Sequence, residues 1–299
     1  MRSYLEAVDG DLRIVRQVAT SYFGRSEGAV LLTGSFAQGA PVYSRAQGEL
    51  SLLSDLDIFV VTPAGLPAGG TRDLSQALAN AGFSRSSVGS ATFADLARRQ
   101  GSQFLWELAL SGIVLAGNYP DLLHAFASYV PDVLDARRLI VNRYAELGRR
   151  SVPLALKSIR AAVDAVLIVT GGLPALLAER LERARNLGLE WQHDYDLYAR
   201  IIDAPILEDL IALDIDWLRC AQESLRRAAS YVPDLDRLDG RDSWGAVIRH
   251  QRTLAKNGCF IPSLSVEASV HRRLAESLLR GRPPSRNVVR AWEVVHHAR

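Results

Sequence analysis

The spacing of apolar residues changes part-way along the chain, close to residue 118. Up to that point, short apolar runs of strand type alternate with segments of helical spacing. After Gly117-Asn118-Tyr119-Pro120, most segments have a period near 3.6 residues, and runs of β-branched residues are scarce. Strands separated by helices are typical of an α/β sheet. The sequence therefore predicts an α/β domain with a mixed sheet over residues 1–120 and an all-α domain over residues 121–299.

Individual segments follow from the same patterns. In the first part, the sequence predicts helices over 4–23, 71–81 and 101–110, a loop or hairpin excursion over 39–54, and strands over 29–33, 56–61, 83–92 and 113–116. In the second part, Gly and Pro punctuate helical segments predicted over 132–150, 153–170, 173–187, 194–203, 205–230, 243–257, 265–280 and 286–298.

Charge and composition exclude several classes of function. Lys and Arg total 35 and Asp and Glu total 33, so the net charge is only +2. This balance disfavours a long nucleic acid as a partner. The longest apolar run, 161–169, is too short to span a membrane and contains Asp164. The N-terminus lacks a signal-peptide pattern, and Cys220 and Cys259 are too few for a disulfide framework, so we expect a cytoplasmic protein with reduced thiols.

A first candidate motif, Gly34-Ser35, lies where the predicted strand 29–33 ends and a short helical turn begins. Such a turn offers backbone N–H groups that can bind a phosphate. The glycine permits close approach of the backbone, and the serine adds a hydroxyl donor. Alone, this pair is also what a plain turn would show.

A second candidate motif, Asp55-Leu56-Asp57, opens the strongest apolar strand of the chain. Side chains at positions i and i+2 of a strand point to the same face, so the two carboxylates are expected to lie side by side. Magnesium is commonly held by one or two carboxylates together with substrate phosphates. Two solvated turn residues at the beginning of a strand would give the same spelling.

Taken together, the two motifs resemble the nucleotidyltransferase superfamily related to DNA polymerase β. The matching runs are LLTGSFAQG over 31–39 and LSDLDIFVV over 53–61, and the resemblance extends over residues 28–117. It implies a nucleotidyltransferase-like α/β fold and transfer of a nucleoside monophosphate from an NTP to an acceptor hydroxyl, with Mg²⁺ (or Mn²⁺) as cofactor. Gly34 and Ser35 would then bind triphosphate oxygens, and Asp55 and Asp57 would ligate the metal. We expect these four residues at one cleft between the domains.

The chain departs from that family at the third metal-binding carboxylate. The resemblance places it on the strand 83–92, between Ser87 and Ser90, where the sequence has neither Asp nor Glu. Asp95 and Glu107 are candidate substitutes. The spacer of 19 residues between Ser35 and Asp55 is also longer than in minimal members. Two hypotheses therefore remain: a nucleotidyltransferase, or a catalytically impaired nucleotide-binding or interaction module of the same fold.

Other reaction classes fit the sequence less well. A phosphatase of the haloacid dehalogenase type places Asp-x-Asp after its strand, whereas here the apolar strand follows the pair. A nucleotide-sugar glycosyltransferase has a longer nucleotide-binding half before its Asp-x-Asp. The sequence leaves open the oligomeric state and the acceptor, which could be a small molecule, a protein side chain or a tRNA end.

The helical part contains a candidate phosphate ligand and two further pairs of acidic residues. Lys157 lies between apolar helix positions, and the resemblance makes it a candidate ligand of the triphosphate. The pairs Asp194-x-Asp196 and Asp214-x-Asp216 repeat the Asp-x-Asp spelling, but residues i and i+2 of a helix point in different directions. We expect both pairs on solvated helix faces.

Overall fold

The computed structural model describes residues 3–24, 27–46, 48–67, 69–97, 102–118, 120–237 and 264–297. Within them, the strands are β1 (Ala29–Thr33), β2 (Tyr43–Ala46), β3 (Glu49–Leu52), β4 (Leu56–Thr62), β5 (Ser86–Thr92) and β6 (Ile113–Gly117). The α-helices, numbered among the described residues, are α1 (Tyr4–Phe23), α2 (Gly34–Ala37), α3 (Gly70–Asn80), α4 (Phe93–Ala97), α5 (Gln103–Ser111), α6 (His124–Ala127), α7 (Val133–Leu147), α8 (Val152–Thr170), α9 (Leu177–Arg185), α10 (Gln192–Asp203), α11 (Leu207–Ile211), α12 (Trp217–Tyr231), α13 (Leu264–Leu279) and α14 (Arg286–His297).

The chain forms two compact units. The first consists of Met1–Val130, Pro174–Leu181 and Ala199–Asp214, and the second of Pro131–Leu173, Glu182–Tyr198 and Ile215–Arg299. The division into an α/β domain over residues 1–120 and a helical domain over residues 121–299 stays a prediction.

A mixed four-stranded sheet lies at the centre of the first unit, with the strand order β5-β4-β1-β6. β1 pairs antiparallel with β4 and with β6, whereas β4 and β5 run parallel. The register pairs Thr33 with Asp57 and Asp57 with Ser87. As a result, the end of β1 and the beginnings of β4 and β5 meet at one edge of the sheet.

The two faces of the sheet are covered by different helices. On one face, Leu32, Ile58 and Val60 pack against apolar residues of α1 and α3. On the other face, Leu31, Phe59 and Val61 pack against residues of α4, α5 and α6. Since side chains alternate along a strand, Asp57 belongs to the second face, one step beyond Phe59.

In the second unit, α8 is apolar around most of its circumference, and residues 161–168 are all buried. A helix that is hydrophobic on all sides is suited to a central position in a helical core. α7 and α12 pack against it. Among the described residues, every helix falls short of the combined length and hydropathy that a membrane crossing needs.

The predicted fold class, a mixed-sheet α/β region followed by helices, is confirmed. Of the two alternatives expected over 39–54, a loop or a hairpin, the structure has the hairpin, formed by β2 and β3. The strand expected over 83–92 begins only at Ser86, because Phe83 still belongs to the turn that ends α3, where its N–H donates to the Leu78 carbonyl at 2.9 Å.

The single helix expected over 205–230 is wrong. The structure has two helices there, α11 and α12, and Asp214 between them has a φ of 52°, which no α-helix can continue. The helix expected over 243–257 lies outside the described residues.

Candidate functional site

The Gly-Ser motif forms the junction between β1 and α2. β1 ends at Thr33, and the helix begins at the next residue, so the chain turns sharply at Gly34, whose φ is 70°. A positive φ is easily reached only by a residue without a Cβ atom. The turn is closed by backbone hydrogen bonds from Gln38 N–H to the Gly34 carbonyl, at 3.1 Å, and from Ala40 N–H to the Ser35 carbonyl, at 2.9 Å.

The two carboxylates open β4, as the sequence predicted. Asp55 directly precedes the strand, and Asp57 is its second residue, flanked by Leu56 and Ile58, which are both buried. Asp55 and Asp57 themselves are half-buried. The apolar residues on the opposite face fix the strand in the core, and that burial presents the two acidic side chains at the edge of the sheet.

The structure brings the two motifs into contact. A Cβ atom placed on Gly34 would lie 2.4 Å from Asp57 Oδ2 and 3.3 Å from its Cγ. The Asp57 carboxylate therefore occupies the space that any side chain at position 34 would need. Gly34 is required twice, for its backbone conformation and for the room that it leaves to a carboxylate. The sequence analysis explained it only by the approach of a phosphate.

An arginine that the sequence analysis missed belongs to this site. Arg85 Nε lies 3.6 Å from Asp55 Oδ1, and Arg85 Nη1 donates a hydrogen bond of 3.0 Å to the carbonyl of Leu53. The parallel register pairs Leu56 with Ser86, so one step earlier Asp55 faces Arg85. Asp55 and Arg85 each directly precede a strand. Recognising that these two strands pair in parallel would have predicted this contact.

The third carboxylate is missing at its expected place. The residue paired with Asp57 on the neighbouring strand is Ser87, which is exposed. Within the described part of the chain, no cluster of three or more His, Cys, Asp or Glu side chains is suited to hold a metal.

Neither candidate substitute fills that place. Asp95 bonds reciprocally with Thr92 at the beginning of α4: its backbone N–H donates to Thr92 Oγ1 at 2.9 Å. Glu107 accepts a hydrogen bond of 2.9 Å from Arg180, whose side chain is 2% exposed. Both carboxylates thus have structural partners elsewhere in the fold.

The donor set fits one hard cation better than two. Asp55 and Asp57 offer carboxylate oxygens at the beginning of β4, and Mg²⁺ needs one or two such groups when substrate phosphates complete its coordination. A second ion would need the carboxylate that Ser87 does not supply. These residues therefore match a single metal ion bound together with a triphosphate.

A hairpin separates the two motifs in sequence. It is attached to residues 205–209, which belong to the same compact unit. Ser44 Oγ donates to Glu208 Oε1 at 2.6 Å, Arg45 N–H donates to Glu208 Oε2 at 2.8 Å, and Tyr43 N–H donates to the Pro205 carbonyl at 2.8 Å. The hydrogen bond from Ser44 is the main cause that lowers the pKa of Glu208. The long spacer is thus an anchored hairpin.

Lys157 lies half-buried in α8 of the second unit. Its role in binding phosphate stays a prediction, as does the position of the site at a cleft between the domains.

The first of the two further acidic pairs was expected on a solvated helix face. This is wrong for Asp194, which is fully buried and accepts hydrogen bonds from Ser224 and Arg227. Asp196 is exposed, as expected.

The second pair was assigned to a helix face, and this is wrong as well. Asp214 lies between α11 and α12, and Asp216 caps the N-terminus of α12 by accepting from Arg219 N–H at 3.1 Å. Both are exposed.

Comparisons with known proteins find no matching protein-family model and no matching curated protein. A solved structure of spectinomycin adenyltransferase AAD(9) from Enterococcus faecialis, with ATP and spectinomycin, is similar at 14% identity and a TM-score of 0.47. The match covers 75% of this chain and 98% of that chain. By its name, that protein is an adenyltransferase.

Proposed function

We propose that this chain is a metal-dependent nucleotidyltransferase, which moves a nucleoside monophosphate from an NTP to a hydroxyl of a small-molecule or protein acceptor. The observation that carries the proposal is the contact between Gly34 and the Asp57 carboxylate. It joins a strand-to-helix turn that can bind phosphate to a carboxylate pair that can bind a divalent cation.

The reaction is an in-line displacement at the α-phosphorus. A bond forms between the acceptor oxygen and the α-phosphorus, and the acceptor hydroxyl releases its proton to the solvent. The bond from the α-phosphorus to the oxygen that bridges to the β-phosphate breaks, and pyrophosphate leaves with that electron pair. Gly34 and Ser35 bind triphosphate oxygens, and Asp55 and Asp57 hold Mg²⁺ or Mn²⁺. A bound cation supplies charge neutralisation and orientation of the phosphates.

A second candidate function is favoured by one observation. Ser87 stands opposite Asp57, and it lies in the stretch from Ser87 to Ser90 where the resemblance places the carboxylate that assists removal of the acceptor proton. With a serine there, nucleotide binding can persist while transfer is slow or lost. The alternative is therefore a nucleotide-binding or interaction module with the same site.

Thermal unfolding with and without ligand tests the binding that both functions share. We expect each suitable NTP with Mg²⁺ to raise the melting temperature by mass action. Asp55→Asn combined with Asp57→Asn should remove that shift and leave the apoprotein about as stable, because relief of the repulsion between two like charges offsets loss of the exposed ion pair between Arg85 and Asp55. Absence of a shift in the wild-type protein at millimolar ligand would overturn both functions.

Product analysis separates the two functions. The protein is incubated with an NTP, Mg²⁺ and a mixture of hydroxylated small molecules, and products are sought by mass as acceptors that have gained a nucleoside monophosphate. Release of pyrophosphate that depends on Asp55 and Asp57 supports the transferase. Binding without any such product supports the module.

A further inference from the structure

We propose that Arg85 makes the site take up the divalent cation together with a triphosphate and disfavours the cation alone. This inference rests on the proposed function and concerns the order of binding at the same site. Its basis is the ion pair between Arg85 and Asp55, one of the two carboxylates assigned to the metal.

The guanidinium is held at this place by more than one contact. Arg85 Nη1 donates to the Leu53 carbonyl at 3.0 Å, and the Arg85 carbonyl accepts from Leu56 N–H at 2.8 Å. Both partners flank Asp55 in the chain. The backbone of the loop before β5 is therefore tied to the backbone at Asp55, so the positive charge stays near this carboxylate.

Charge then determines which ligand the site prefers. The two carboxylates of Asp55 and Asp57 carry two negative charges, and Arg85 cancels one of them. A divalent cation near Asp55 is repelled by the guanidinium, whereas a triphosphate is attracted to it. For charges about 6 Å apart in water-like surroundings, partly screened by salt, the repulsion weakens binding of the cation by about three- to tenfold.

The position of Arg85 also suits contact with a phosphate. A guanidinium presents several N–H donors in one plane, and only some of them are used by Asp55 and Leu53. Both side chains reach the solvent, with side-chain exposures of 42% for Asp55 and 52% for Arg85. A triphosphate bound to the same cation as Asp55 would come within reach of this group.

The experiment measures binding without turnover. Free Mn²⁺ is quantified by electron paramagnetic resonance during titration of the full chain, first without nucleotide and then with a non-hydrolysable ATP analogue. The variants are Arg85→Gln and Arg85→Lys, with Arg16→Gln as the matched control. Arg16 is an exposed residue of α1, the helix that covers the opposite face of the sheet, so its replacement changes the net charge equally at a distance.

We expect Arg85→Gln to bind Mn²⁺ alone about three- to tenfold more tightly than the wild type and to bind the Mn²⁺–nucleotide complex more weakly. Arg85→Lys should remain within about twofold of the wild type for Mn²⁺ alone, since the charge is retained, and Arg16→Gln should change neither affinity. These opposite shifts are not expected from a residue that only stabilises the loop.

The inference is overturned if Arg85→Gln leaves the affinity for Mn²⁺ alone unchanged or lowers it, or if Arg16→Gln has the same effect. Failure of the proposed function gives a different pattern: the double variant Asp55→Asn, Asp57→Asn would then bind Mn²⁺ and nucleotide as the wild type does. If that double variant abolishes binding while Arg85→Gln does nothing, only the role of Arg85 is refuted.

Discussion

Asp57 and Ser87 are register partners in the parallel pair of β4 and β5, so their side chains stand on the same face of the sheet. The next residue on that face of β5 is Gly89, where a Cβ atom would lie 3.0 Å from the ring of Phe59. Ser90 points to the other face. Of the four residues from Ser87 to Ser90, Ser87 is therefore the one at which an acidic side chain would lie beside Asp57.

The first prediction concerns this vacant carboxylate position. Ser87→Asp should bind Mn²⁺ more tightly in the presence of nucleotide and raise the rate of nucleotidyl transfer by about tenfold or more, because a third carboxylate can hold a second ion. The control is Ser90→Asp, which adds the same charge to the same strand on the opposite face. Equal effects of the two variants would contradict the assignment.

A second prediction compares two glycines with similar backbone conformations. Gly34 has a φ of 70° and Gly39 a φ of 77°, but a Cβ atom meets Asp57 only at Gly34, whereas nothing lies within 4 Å at Gly39. Both Gly→Ala variants should lose about 1 kcal/mol of stability from the left-handed backbone. Only Gly34→Ala should also lose the rise in melting temperature caused by Mg²⁺ and NTP.

The thermal shift with ligand, measured by scanning fluorimetry, distinguishes the two glycine variants. If Gly34→Ala kept the full shift, the contact with Asp57 would have no part in binding. If Gly39→Ala lost it as well, backbone strain in the turn would be sufficient to explain the effect.

A third prediction concerns the buried ion pair between Glu107 and Arg180. Arg180 also donates to the carbonyl of Pro174 at 2.7 Å, and its side chain is 2% exposed. Arg180→Gln leaves Glu107 without its charged partner and should lower the free energy of unfolding by about 3 kcal/mol. Arg219→Gln, which breaks an exposed pair with Glu223, should cost less than about 0.5 kcal/mol.

Urea denaturation at neutral pH measures both arginine variants. A cost for Arg180→Gln as small as that for Arg219→Gln would show that the pair contributes little to the first unit. If Glu107 were instead a catalytic residue, Glu107→Gln would abolish transfer without a loss of stability.

A fourth prediction concerns pH. The hydrogen bond from Ser44 lowers the pKa of Glu208 in the folded state, so this carboxylate contributes stability above the ordinary glutamate pKa of about 4.3. The contribution is lost as the pH falls through the lowered folded-state pKa. Ser44→Ala should therefore lower the melting temperature most at pH 6–7, and its difference from the wild type should shrink below about pH 4.

Melting temperatures of the wild type and Ser44→Ala, taken at intervals from pH 7 to pH 3, test this dependence. Ser51→Ala on the paired strand of the same hairpin is the control. A difference between wild type and Ser44→Ala that stays constant or grows toward low pH would refute the role of the charged Glu208.

Local sequence patterns were sufficient to predict the strands of the sheet and the two motifs at its edge. The apolar run after Asp57 identified β4, and the change from strand to turn at Gly34 identified the other motif. The position of the missing carboxylate was narrowed to four residues by the resemblance, and the register then selected Ser87. Alternation along a strand is a local property, whereas register depends on the neighbouring strand.

Contacts between distant segments could not be predicted in this way. The sequence pattern predicts that Asp194 is exposed, but in the structure it is buried. Ser224 and Arg227 of α12 donate hydrogen bonds to its carboxylate, which compensates for the cost of burying the charge. The partner of Glu107 is 73 residues further along the chain. A single sequence shows which residues carry charge, but pairing among them depends on how the helices pack.

The anchored hairpin has a consequence for synthesis of the chain. Ser44 and its partner Glu208 are separated by 164 residues. At elongation rates of about 5–20 residues per second, the hairpin leaves the ribosome roughly 8 to 30 s before its partner does. Throughout that interval, Ser44 and Arg45 lack the carboxylate that holds them. The region between the two motifs therefore acquires its final contacts late, so a ribosome-bound chain that stops before residue 205 should have a folded sheet edge without a fixed hairpin.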